Sequence, residues 1–518
     1  MKKLLLVVVG LGCLAVLAQE VRFAPNVQPA PVQMTVESNT LVRLDRDMTI
    51  RITCRKDADA VAEWAEAHLA QWFKATKRNW FSGVNVPRVR TSERADVAVA
   101  GGDEAYELMV TPMGVEIRAN ALAGVRYALY SLRQTTLAMP RTGRTVEYYV
   151  MPAMVVKDAP ALAFRGIHIP WSLDDSPTEI EKRIRLAAYL KYNYAVVEPW
   201  GAFRSARHPW WGWKEGTMTP AAVKHLVKVG KDVGITLCPQ IPAFGHASMG
   251  ITSPGKHAVL DAHPEYQPLF ESLNGWNWCL SNPEVLKVQF EIIDEMIELF
   301  DHPPYFHVGC DEAAKPNCPV CLASDYRKLV IQHILALHAG LKERGLKMML
   351  WHDMFLKEGD ARWKGFYANG TEETVKAFET FPRDMVICDW FYGKTPKDGK
   401  YPSLEHFKEM GFEVVTCPWY EKDGTASQGK RARELGLLGI LSTTWGQGTG
   451  KEKGRYVANM FVPAACAGWG SPYLSSNLWK WNYDLDFIRN LRQVEWDMRL
   501  EDFEDTGTYQ DQVPVKAK

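Results

Sequence analysis

The chain has 518 residues, 47% hydrophobic and 24% charged, which excludes a disordered protein and leaves room for a large barrel plus a smaller domain. Lys and Arg total 61 and are matched by 61 Asp and Glu, so no net field favours nucleic acid or an anionic membrane. The 19 Trp and 19 Tyr are abundant in the aromatic faces that hold sugar rings, although most tryptophans in any protein are core.

Residues 1–18 carry Lys2 and Lys3, an apolar run from Leu4, and Val16-Leu17-Ala18 before Gln19. This is the pattern of a secretory signal, too short for a membrane span, and it predicts cleavage after Ala18 and export to the periplasm or medium. Cys13 lies within the apolar run, so lipid anchoring is the lesser alternative. Ten cysteines would suggest disulfides in an exported protein. However, Cys238, Cys310, Cys388 and Cys417 fall in strand-like apolar runs and read as buried thiols. Cys318 and Cys321 could form a local disulfide or half a metal site. No second pair follows at zinc spacing, which makes a structural role the better reading.

Residues 21–150 read as a small N-terminal α/β domain. Strands are expected at 41–53 and 97–100, a helix at 60–72, two strands within 106–118, and a helix at 123–135. The stretch 140–160, with Pro140, Pro152 and Pro160, reads as a linker. From Ala161 short apolar strands alternate with amphipathic helices, with strands expected at 162–169, 194–198, 235–241, 305–310, 347–352, 385–389, 413–417 and 439–444. Eight such units predict a (β/α)8 TIM-type barrel over residues 155–480, of α/β class, preceded by a small α+β domain. Residues 244–281 form a long insertion after the third strand. A closing helix is expected at 484–504, within a C-terminal segment 481–518 that ends in a polar tail.

The residues just past each strand carry the chemistry. They include Trp171, Glu198-Pro199-Trp200, Phe244-Gly245-His246, Asp311-Glu312, Trp351-His352-Asp353, Asp389-Trp390, Trp419-Tyr420 and Trp445-Gly446-Gln447. Barrel enzymes keep their active sites at this rim, and an aromatic-walled pocket holding acids suits glycoside chemistry. Successive strand side chains point to opposite faces, so Asp311 and Glu312 share a pocket only where the strand breaks. Residues 313–316 would allow that break.

His307-Val308-Gly309-Cys310-Asp311-Glu312 resembles the His-x-Gly-x-Asp-Glu signature of glycoside hydrolase family 20, the β-N-acetylhexosaminidases. Arg165-Gly166, Lys191-Tyr192-Asn193, Phe244-Gly245-His246, Trp445-Gly446-Gln447 and the stretch 106–134 are similar to other parts of that family's pattern. The resemblance implies retaining, substrate-assisted release of terminal N-acetylglucosamine or N-acetylgalactosamine through an oxazolinium intermediate, without cofactor or metal. Glu312 would be the general acid and base. Asp311 would hold the 2-acetamido group, and His246 would orient the acids. Arg165, Glu198, His307, Trp351, Trp390, Trp419, Tyr420, Trp445 and Gln447 would bind substrate. Tyr420 is the candidate to hydrogen-bond the acetamido oxygen, with Trp419 and Tyr392 as alternatives. Glu312 is expected in a partly apolar setting that keeps its proton.

Two departures stand out. Glu198 occupies the second strand where the family often has His-x-x-Asp, and it is expected to partner His246. Gln447 stands where a Glu usually binds outer hydroxyls. Three rival readings are a glycan-binding barrel without turnover, a metal-dependent hydrolase, and a two-carboxylate glycosidase pairing Glu198 with Glu312. The partner is expected to be a glycan or amino-sugar substrate, with no nucleic acid and no membrane span. The sequence does not set the oligomeric state.

Overall fold

The computed structural model describes residues 27–75, 86–139, 148–173, 175–213, 216–248, 259–271, 275–445 and 460–471. These fall into two compact units. Residues 33–158 form one, and residues 28–32 together with those from 159 onward form the other. Among the described residues, no helix is long and apolar enough to cross a membrane. The expected leader, Gln447 and the expected helix 484–504 lie outside the described residues.

The first unit is a seven-stranded mixed sheet with two helices. Its strands are β1 (Gln33–Leu44), β2 (Thr49–Cys54), β3 (Arg88–Glu93), β4 (Tyr106–Thr111), β5 (Gly114–Ala119), β6 (Leu137–Met139) and β7 (Tyr148–Asp158). They run in the order β1-β7-β4-β5-β2-β3, with β6 on β7. The helix Ala58–Ala75 buries Val61, Ala65, Leu69 and Trp72, which lie on one face at helical spacing. Two expectations give way here. Residues 97–100 form no ladder; the Val99 N–H instead donates to the Asn120 side chain at 2.9 Å. Most of the supposed linker is β7, an eleven-residue strand paired on both sides, with β1 and with β4. Its apolar residues outweigh Pro152, which sits beside the register shift in β1.

The second unit is a parallel eight-stranded barrel of β8 (Phe164–Ser172), β9 (Tyr194–Trp200), β10 (Thr236–Pro239), β11 (Tyr305–His307), β12 (Lys347–Trp351), β13 (Val386–Trp390), β14 (Glu413–Cys417) and β15 (Gly439–Ser442). Each expected barrel strand is present. The ring closes between β10 and β11 through an isolated bridge, Gln240 to His307. Helices follow every strand, and several begin at side-chain caps. Ser176, Thr219 and Asp325 each accept the N–H three residues on, and Thr371 forms a reciprocal capping box. The barrel interior holds Phe164, Val196, Cys238, Met349, Trp351, Val386, Cys388, Trp390, Val415, Cys417 and Leu441. Strand alternation from these positions carries His168, Glu198 and His307 inward as well.

Candidate active site

β11 ends at His307, and the chain then leaves the sheet through left-handed backbone. The φ angle is +64° at Gly309, +76° at Cys310 and +47° at Glu312. Such a conformation costs a non-glycine residue ~1–2 kcal/mol, so Cys310 and Glu312 are held there by their surroundings. The break therefore begins upstream of the acids and not only at residues 313–316. It is what allows consecutive side chains to face one space. At Gly309 a Cβ would lie 3.1 Å from the Pro242 Cα, and at Gly245 one would lie 2.2 Å from the Asp311 carbonyl oxygen. Gly245 thus lets the loop carrying His246 press against the backbone of Asp311.

That approach brings His246 between the two acids. Its Nε2 lies 3.2 Å from the Asp311 Oδ2 and 3.3 Å from the Glu312 Oε2. One imidazole nitrogen thus fixes two adjacent carboxyls. Asp311 is nearly covered, whereas the Glu312 side chain is 47% exposed and open to a ligand. Among the described residues, no full apolar enclosure forms around Glu312. The Trp276 ring tilts against His246 at 4.5 Å, and its Nε1 donates to the Glu312 carbonyl at 2.7 Å.

Beneath the acids lies Asp353, fully buried. It accepts the Glu312 N–H and the Asn369 amide, both at 2.9 Å, and the Trp390 Nε1 at 3.2 Å. Burial, helped by the charge of Asp311, pushes its carboxyl up to about 7, while those three donors oppose the shift. Asp353 therefore pins the backbone of Glu312 and the ring of Trp390 together. Sequence reasoning had it at the rim, with a role only in the rival metal-dependent hydrolase, beside His307, Asp311 and His352. Its place two residues after Trp351 was the available signal. Asn369 and Trp276 come from loops with no motif.

Aromatic residues line the rest of the rim. Trp351 forms the floor, 4.4 Å from His307 and 5.8 Å from Trp445 between ring centres. Trp445 stacks on Trp200, sits 4.3 Å from His168, and donates its Nε1 to the Tyr392 hydroxyl. Trp390 stacks on Tyr367 at 4.0 Å and on Tyr392 at 5.1 Å. Tyr392 meets Trp419, and Trp419 meets Tyr420, whose ring is half exposed. The Tyr392 phenol is pushed well above its ordinary value, mainly by burial, and is near enough to feel the charge of Asp311. The Tyr367 phenol is also raised, first by burial and then by Tyr420 and Glu312.

Three expected site residues take other positions. Arg165 is the second residue of β8, at the end opposite the acids, and alternation turns it out of the barrel. Its guanidinium donates to the carbonyls of Lys191 at 3.0 Å and Leu162 at 2.8 Å, and it lies over the Trp469 ring. It stitches the base of the barrel and does not reach the pocket. Glu198 points into the barrel, where its carboxylate meets His168 at 3.2 Å and accepts the Trp200 Nε1–H at 2.8 Å. His307 accepts the Gly309 N–H through Nδ1 at 3.0 Å, and so holds the loop that carries the acids instead of touching them.

A parallel barrel with paired acids and an aromatic wall at its C-terminal rim has the build of a glycoside-hydrolase barrel. The chain belongs to glycoside hydrolase family 20: the catalytic domain of that family matches residues 185–454, and its domain 2 matches residues 24–159. A beta-hexosaminidase of Akkermansia muciniphila is 26% identical over 398 residues, which span 66% of this chain and 74% of that protein. A beta-hexosaminidase of Porphyromonas gingivalis is 25% identical over 249 residues, which span 44% of this chain and 31% of the relative. Matches to the Porphyromonas, Entamoeba histolytica and Cellulomonas fimi relatives span 31%, 39% and 37% of their lengths. In fold, the chain is similar to Streptomyces plicatus N-acetyl-beta-hexosaminidase in complex with Thio-NAglucal. The TM-score is 0.66 at 17% identity, covering 91% of this chain and 95% of that one.

Proposed function

We propose that the chain is a retaining β-N-acetylhexosaminidase that releases terminal N-acetylglucosamine or N-acetylgalactosamine by substrate-assisted catalysis. One observation carries this reading: a single His246 nitrogen touches both Asp311 and Glu312. Two acids held on one side of a sugar cannot attack from opposite faces of its anomeric carbon, as acid and nucleophile do in ordinary retaining glycosidases. They can serve one small region of one sugar. Glu312, open to the pocket, protonates the glycosidic oxygen while the 2-acetamido oxygen attacks the anomeric carbon. Asp311, nearly covered, accepts the acetamido N–H and stabilises the positive charge of the oxazolinium ion. Glu312 then takes a proton from water, which opens the ring with net retention. A bound sugar adds apolar cover to the exposed side of Glu312.

Trp351, Trp390 and Trp445 wall the acetamido group and the sugar face, with Tyr420 as first candidate for the acetamido oxygen and Tyr392 as second. Arg165 has no part in sugar binding here. Outer hydroxyls fall to groups near Glu198 and Trp200, and to Gln447 as read from the sequence. Export, read from residues 1–18, belongs to the same reading. Mass spectrometry of the mature chain checks it, and an intact leader on exported protein would count against it.

Aryl β-N-acetylglucosaminide, its galactosamine analogue and the plain aryl β-glucoside test the reaction. Turnover of the first two, absent for the glucoside and blocked by a thiazoline mimic of the oxazoline, is expected. Comparable turnover of the glucoside would instead favour Glu198 as a nucleophile opposite Glu312. Sugar binding without any release would mark a glycan-binding barrel.

A further inference from the structure

Three cysteines from two loops converge beside the acids. Cys318 opens the short turn Pro319–Ala323, and its Sγ accepts the Cys321 N–H at 3.2 Å. Cys279 arrives from the preceding long insertion, with its Sγ 3.6 Å from that of Cys318 and 3.9 Å from that of Cys321. All three are unbridged, and their sulfurs lie within 4.8 Å of one another. Zinc holds thiolates at ~2.3 Å in a tetrahedron, whose sulfur-to-sulfur edge is then ~3.8 Å. The two spacings from Cys279 match that edge, and the third pair lies within 4.8 Å.

A fourth group lies beside the three sulfurs, outside the 4.8 Å cluster that they form. Glu271 is 1% exposed. Its Oε2 accepts the Asn317 N–H at 2.8 Å, whereas its buried Oε1 has no hydrogen-bond partner. Its carboxyl abuts the Cys321 thiol, with Cys279 near. A buried carboxylate oxygen left unpaired is costly, and a cation would satisfy it. The Ser281 hydroxyl lies 3.2 Å from Cys321 and 3.3 Å from Cys279, placed to hydrogen-bond a thiolate.

The geometry points to a structural zinc site made by Cys279, Cys318 and Cys321, with Glu271 turning its free oxygen inward to become the fourth ligand. Binding expels the thiol protons to solvent and leaves a closed four-coordinate centre without an open position for water. Its role is positional. The Cys279 loop carries Trp276, which meets His246 and the Glu312 carbonyl. It also carries Asn277, which exchanges two hydrogen bonds with Ala314, at 2.7 and 2.9 Å. The metal clamps that loop to the one bearing the acids. A sequence reading from Cys318 and Cys321 alone lacks the third thiol, because it comes 39 residues earlier.

Elemental analysis of the reduced, full-length protein after equilibration with zinc and gel filtration reads this directly, without reference to turnover. About one zinc per chain is expected, with a thiolate-to-metal charge-transfer band after cobalt exchange. Cys321→Ser should weaken zinc binding at least ~100-fold. Glu271→Gln, which leaves the thiols intact, should weaken it ~10-fold or more, while Ser281→Ala changes it less. Circular dichroism confirms that each variant is folded. A folded, reduced protein that takes up no zinc overturns the site. So does a disulfide from Cys279 to Cys318 or Cys321 in the freshly isolated chain. Zinc affinity unaltered in Glu271→Gln removes the fourth ligand as assigned.

Discussion

At the end of β13, Asp389 and Trp390 stay in register with Thr416 and Cys417 of β14, so alternation sends the ring inward and the acid outward. At the end of β11 the chain turns left-handed after His307, and Asp311 and Glu312 reach one histidine. Asp389 is sealed behind the barrel wall 3.5 Å from His352. Burial holds that histidine down to about 3 and Asp389 up to about 7, so the contact is no ion pair near neutral pH. The lesson is that an acid at a strand end acquires chemistry from the backbone that carries it. A regular strand hides every second residue, and a broken one can expose both.

The comparison breaks most visibly through charge removal. Glu312→Gln should lower kcat ~10²–10⁴-fold, and Asp311→Asn ~10²-fold or more. Asp389→Asn should leave kcat within about threefold while shifting the melting temperature, since it acts through packing. Steady-state kinetics on an aryl N-acetylglucosaminide checks all three, and a large loss of kcat in Asp389→Asn would contradict the division. Gly245→Ala tests the approach of the two loops. Its Cβ would meet the Asp311 carbonyl at 2.2 Å, so a loss of ~10²-fold in kcat/KM is expected from misplaced acids.

A smaller effect separates Asp353 from the acids above it. Its folded pKa of about 7 exceeds the ordinary carboxylate value, so the folded state holds the proton more tightly than the unfolded state. Stability from this group is present below about pH 4 and is lost as pH rises to about 7. Asp353→Asn lacks that dependence. The stability difference between wild type and variant should therefore move against wild type across this window, by at most ~4 kcal/mol in denaturant titrations. A constant difference would mean that Asp353 is ionised throughout. The smallest effect on turnover belongs to Arg165→Met. KM should stay within about twofold while stability falls by ~1–3 kcal/mol, because buried carbonyls lose their donor.

The barrel was legible because parallel strands buried on both faces read as apolar runs, and helices separate them at a regular spacing. The acids were legible from their motif. Arg165 was misplaced because matching a motif carries no strand phase. Counting alternation from Phe164 would have turned it outward. The contact of Glu198 with His168 went unread because the inward phase of His168 on the neighbouring strand went uncounted. Asn369 and Trp276 were illegible for a different reason. They meet Asp353 and Glu312 through loop contacts that no local pattern encodes.

The bridge at Gln240 and His307 has a dynamic consequence. Every other joint of the ring has between two and seven paired positions among the described residues, whereas this seam has that one, followed by the Ile241 and Ala243 amides bonded to His307 and Val308. Breathing of the cylinder should start at this thin weld, so that the loop holding the reactive groups rides on its most easily opened hinge. Amide exchange at Ile241 and Ala243 would then outpace that at strand centres on the far side, and a tight-binding sugar would slow it first.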